Sequence, residues 1–123
     1  MRHLMAFVIV AAFATPVPQA LAYETDIADD ADVALVVAVN DASEVAKTVV
    51  EACMRNGGER KLCLCSSVDY IDDVRAAIGE ALAVHPEWRR QTLYIADTGD
   101  GQFKSLTMNL GRVPYASPPR GCY

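Results

Sequence analysis

The chain has 123 residues, 52% of them hydrophobic, and its 16 acidic side chains outnumber 11 basic ones for a net charge of −5. A negative chain without a basic stripe argues against nucleic acid and against anionic membrane surfaces as partners. Four cysteines in so short a chain point to a small domain cross-linked in an oxidising compartment.

The N-terminal segment reads as an export signal. Arg2 and His3 precede an uncharged apolar run over residues 4–14, followed by Pro16, Pro18 and the small-x-small triplet Ala20-Leu21-Ala22. The run of about 11 residues is shorter than the roughly 20 that span a bilayer. Residues 1–22 are therefore expected to be removed, leaving an exported chain, periplasmic or secreted, with no membrane attachment. Its roughly 100 residues suffice for one domain.

Residues 23–40 form an acidic N-terminal segment. Between positions 24 and 51 there are eight acidic residues, opposed only by Lys47. Asp26, Asp29, Asp30 and Asp32 could bind a cation or dock a basic partner. The simpler reading is a solvated helix start, where negative charge meets the positive end of the helix dipole. Ile27, Ala31, Leu35, Ala38, Ala42, Val45, Val49 and Cys53 recur at steps of three and four, a stripe along one helix or two. Asn40-Asp41-Ala42-Ser43 looks like a break in which Asp41 caps a new helix and Glu44 completes the capping box. A strand over residues 33–39 competes, because β-branched side chains favour strands.

A helical domain is expected over residues 41–112. Its first helix, residues 43–56, should stop at Asn56-Gly57-Gly58, where glycine can take the left-handed conformation. A second stripe, Leu64, Val68, Ile71, Val74, Ile78 and Leu82, makes the return arm of a helical hairpin. His85-Pro86 ends that arm, and Pro86 suits the first turn of a third helix carrying Trp88, Gln91, Thr92 and Ile95. Asp97-Thr98-Gly99-Asp100-Gly101 is a loop signal. Residues 103–110 fit a strand or a helix equally. Residues 113–123 make a proline-rich tail that Cys122 would anchor. The expected fold class is mainly α, a small disulfide-stapled helical domain built on a hairpin. The alternative is α+β, with short strands near residues 33–39 and 106–110.

Cys53 lies just before the hairpin turn, and Cys63 and Cys65 just after it. One bridge should staple the hairpin while another ties Cys122 to the remaining member of the Cys-x-Cys pair. The favoured assignment is Cys53 with Cys65 and Cys63 with Cys122. A sharper reading uses Cys63, Cys65, Met54 and His85, with Met108, as a copper-type site. The spacing speaks against it, because redox and haem motifs need Cys-x-x-Cys and zinc sites need a second close pair. Structural disulfides and no cofactor are the expectation.

Catalytic motifs are weak. Asp97-Thr98-Gly99 matches the short signature around the catalytic aspartate of aspartic proteases, and Leu110-Gly111-Arg112 looks like that family's later apolar-Gly-Arg element. Too few residues separate them for the intervening strands, and the segment before the triplet reads as helical, so a turn is the better account. A calcium loop fails on register. No phosphate loop, nucleophile elbow or His/Glu zinc pair is present. Trp88-Arg89-Arg90 combines residue types found at interface hot spots, although a lone tryptophan by default packs in the core. The expected function is an exported, non-enzymatic protein that binds a protein partner, as an inhibitor, immunity-type factor or accessory subunit. Its candidate contacts are Asp26, Asp29, Asp30, Asp32, Trp88, Arg89 and Arg90. Alternatives are a periplasmic copper-type carrier using the Cys-x-Cys pair and a small thiol redox protein.

Overall fold

The computed structural model describes residues 24–99, 101 and 104–122. The export-signal reading of residues 1–22 lies outside them, as do Asp100 and Phe103. The chain is mainly α, with a small three-stranded sheet set against a long helical pair.

Helix α1 (Asp30–Arg55) has 26 residues, about 39 Å at 1.5 Å per residue. Asp29 starts it, its Oδ1 accepting from the amides of Ala31 at 3.0 Å and Asp32 at 3.2 Å. That satisfies donors which no helical carbonyl can reach. The helix stops where expected, at Asn56 with Gly57 at φ +90°. It does not break at Asn40-Asp41-Ala42-Ser43. Ser43 faces inward and donates to the Pro114 carbonyl at 2.9 Å, so its hydroxyl satisfies the tail and not a helix start. Residues 33–39 are likewise helical.

The buried face of α1 is Val36, Val39, Ser43, Ala46 and Val50, one position on from much of the stripe read from sequence. α1 carries two adjacent apolar stripes, and the polar Ser43 disguises the one that is buried. Val45, on the other stripe, is 50% exposed.

The return arm is two helices, α2 (Arg60–Ser66) and α3 (Val68–Val84), divided at the buried Ser67, whose hydroxyl donates to the Cys63 carbonyl at 2.7 Å. Ile71, Val74 and Ala81 of α3 are buried, and Ala77, Ile78 and Leu82 pack partly against the main core. A 3₁₀ turn over Pro86–Arg90 follows, with proline at its first position as expected.

The third helix goes no further than that turn. Gln91 is extended, and Thr92–Ile95 forms strand β2, with Leu93 and Ile95 buried. Thr, Tyr and Ile lose rotamer freedom in a helix and fit a pleated sheet, and here tertiary pairing decides. β1 (Glu24–Asp26) pairs parallel with β2, Thr25 opposite Leu93. β3 (Leu106–Asn109) pairs antiparallel with it, Met108 opposite Leu93. Within the ambiguous segment residues 106–109 are thus a strand, closed by a second 3₁₀ turn at Leu110–Arg112. One cluster gathers Ile27, Val36, Val39, Ala81, Trp88, Leu93, Ile95, Met108 and Leu110.

Two disulfides form, and Cys122 takes part in one of them. The pairing is Cys53 with Cys63 and Cys65 with Cys122, which corrects the favoured assignment while keeping a hairpin staple and a tail anchor. The reason is helical phase. Cys63 is fully buried on the face of α2 turned toward α1, whereas Cys65, two residues on, is half-buried and turned toward the tail. Gly58 completes the staple, because a Cβ there would run into the sulfurs of Cys63 and Cys53.

Candidate functional site

The acidic segment folds into one end of the molecule, where β1 meets the start of α1. Asp29 is spent on the cap. Asp32, in the first turn, reaches across to His85 at the end of α3, with Oδ1 2.7 Å from Nε2. The other ring nitrogen, Nδ1, lies 3.0 Å from Glu87 Oε1. Two carboxylate acceptors on one ring call for both N–H groups, and so for the imidazolium. The Asp32 hydrogen bond holds the His85 pKa above the ordinary imidazole range against the opposing effect of burial, and Glu87 adds to it. Glu87 is held below the usual carboxylate range, chiefly by its own backbone amide and further by His85. The His85 ring stacks on Trp88, with centroids 4.1 Å apart.

His85 therefore ties α1, α3 and the 3₁₀ turn together and has no free nitrogen with which to move a proton to or from a substrate. It is a clamp, not a general base. Thr25 Oγ1 donates to Gln91 Oε1 at 2.7 Å, joining β1 to the segment after the 3₁₀ turn.

Two clefts flank this junction. One, of about 490 Å³, is lined by Asp26, Asp29, Asp32, Glu87 and Gln91 among others. The other, of about 540 Å³, lies between α1 and residues 96–99. Its walls are Ile27, Val33, Ala34, Val37 and Ala96, with Asp30 and Asp97 as its charged groups among the described residues.

The fold brings Asp26, Asp29, Asp30 and Asp32 to one end and sets the Trp88 segment beside them. Trp88 itself is 2% exposed. That fits the core packing expected of a lone tryptophan, and only its edge lines the cleft of about 490 Å³. Arg89 and Arg90 are exposed. Sequence reasoning missed Glu87 and the clamp role of His85, and weighed Asp97 only as a catalytic or turn residue. The short spacing of His85 and Glu87 was visible, but Asp32 lies 53 positions away.

The copper-type set is not brought together. Cys63 and Cys65 are each bonded to another cysteine, so neither offers a thiolate, and His85 lies at the opposite end of α3, about 25 Å away at helical rise. All four cysteines are in disulfides, so no cysteine thiol is free. Among the described residues no group of three or more His, Cys, Asp or Glu is placed to hold a metal ion.

Asp97-Thr98-Gly99 does follow a strand, contrary to the helical expectation. Its carboxylate nonetheless accepts from the Gly99 amide at 2.9 Å, as a turn-forming aspartate does. Comparisons with known protein families, curated proteins and solved structures find no match.

Proposed function

We propose that this is an exported, non-enzymatic protein that binds a basic protein partner through its acidic end. The observation that carries the reading is the state of Asp26 and Asp30. Both are exposed, and neither is in an ion pair among the described residues. They border clefts large enough to admit side chains. Unpaired charge of one sign beside apolar concavity supports recognition, since charge speeds encounter and buried side chains hold the complex. Two disulfides fit an oxidising compartment. No helix of the described residues is long and apolar enough to cross a membrane.

The experiment is capture of a partner by the oxidised protein, followed by association kinetics. Asp26→Lys with Asp30→Lys leaves the Asp29 cap and the Asp32–His85 pair intact, so the fold should persist. Association should slow by about tenfold at low salt and by less at high salt. An unchanged association rate with a folded double variant rules the reading out.

A further inference from the structure

The following inference rests on the protein-binding reading and assigns its anchor pocket. The cleft of about 540 Å³ has a wall of Ile27, Val33, Ala34, Val37 and Ala96 and, among the described residues, two ionisable groups, both carboxylates. Asp30 stands in the first turn of α1. Asp97 is fixed by its hydrogen bond to the Gly99 amide. Both are exposed, and neither is in an ion pair among the described residues. Thr98, which lines the same cleft, has a buried Oγ1 with no hydrogen-bond partner among the described residues.

These features select a ligand chemistry. A purely apolar group would desolvate the two carboxylates without compensation. A small hydrated cation would leave the apolar wall unused, and an anion would be repelled. A long aliphatic stem ending in a cation satisfies both parts, because lysine and arginine lay methylenes on apolar surface while the head stays with charge and water. We propose that the cleft between α1 and residues 96–99 receives a lysine or arginine side chain of the protein partner, its stem against Val33, Ala34 and Val37 and its head at Asp30 and Asp97.

The test titrates the oxidised full-length mature protein with the N-acetyl N-methylamides of arginine, lysine and norleucine, following amide signals of Ala28, Ala34, Ala96 and Gly99. Arginine or lysine amide should give saturable shifts at these positions, with norleucine amide at least about tenfold weaker. Ala34→Leu keeps both carboxylates and a good helix former, takes up the strip of wall assigned to the stem, and should weaken the shifts at least several-fold with circular dichroism unchanged. Asp97→Asn should weaken binding several-fold. Absence of saturable shifts, or equal binding of norleucine amide, overturns the proposal. Partner capture that survives Ala34→Leu overturns the cleft assignment and leaves the acidic-end reading standing. An association rate unchanged by Asp26→Lys with Asp30→Lys overturns that reading instead. Sedimentation velocity covers the competing occupant: self-association abolished by Ala34→Leu would place a cationic side chain of a second copy in the cleft, and overturns the assignment to a partner.

Discussion

The two ends of the α1–α3 pair are held by different means. At the sheet end Trp88, Leu93, Ile95, Met108 and Leu110 close over Val36, Val39 and Ala81, and noncovalent contacts suffice. At the far end the buried set is smaller, essentially Val50, Cys63, Ser67, Ile71 and Val74, and the chain that covers it is an irregular tail. Both disulfides lie there. Covalent links appear where apolar burial is thin, as expected of a domain of roughly 100 residues.

The sharpest way to break this contrast is to weaken each end separately. Trp88→Ala should cost about 4 kcal/mol through lost burial and a residual cavity. Replacing Cys65 and Cys122 together by alanine should cost a similar amount, about 4 kcal/mol by the chain-entropy estimate for a separation of 57. Urea unfolding of the two variants measures both. A tail bridge whose removal leaves the midpoint unchanged would mean that the far end is self-sufficient.

The hairpin staple, with a separation of 10, should contribute about 3 kcal/mol. Gly58→Ala probes the same place without removing a sulfur. The added methyl must displace Cys53 and Cys63, and overpacking of this kind costs about 2 kcal/mol. Full stability in that variant, with the staple intact by peptide mapping, would show that the turn yields easily. Asp29→Ala, at the other end, removes a helix cap and should cost about 1 kcal/mol, read from the same urea curves.

The smallest effect is the one with a pH signature. His85 has a raised pKa in the folded state, so its contribution is fully present below the unfolded value near 6.5 and fades as pH rises through the folded value. Glu87, with a lowered pKa, contributes above its unfolded value near 4.5 and loses that contribution as pH falls through the folded one. His85→Gln should therefore destabilise most in mildly acidic solution and least above neutrality. Thermal unfolding at a series of pH values checks the sign. A penalty that grows above neutrality would mean that neutral His85, not the imidazolium, is the form the clamp uses.

What could be read in advance follows from the range of the interactions. The stop at Gly57, the buried Trp88, the hairpin and the anchoring of Cys122 depend on local chemistry or on cysteine parity, and they were legible. β1 was not, because Glu-Thr-Asp carries no strand pattern and exists only through its pairing with Thr92, Leu93 and Tyr94. The break expected at residues 40–43, with Asp41 as cap, does not occur, and Ser43 there turns inward because its hydroxyl is satisfied by Pro114, 71 positions away. Of the candidate site, the acidic side chains were plain in the sequence. The clamp that organises them and the cleft beside Asp97 arise from contacts that no local pattern encodes.

The two cystines close loops that follow one another along the chain and do not interlock, Cys53 to Cys63 and then Cys65 to Cys122. As the chain emerges N-terminus first, the first can be oxidised as soon as a single helical turnaround is out. The second waits until α3 and both later strands have passed, since all of them lie inside its loop. In that interval Cys65 is the nearest competitor for Cys53, so a chain oxidised too early can be caught with the wrong neighbour joined. The thiolate of Cys63, left free in that mispair, restores the order by attacking the Cys53 sulfur and releasing Cys65 as a thiol, an exchange that the burial of Cys63 against α1 favours.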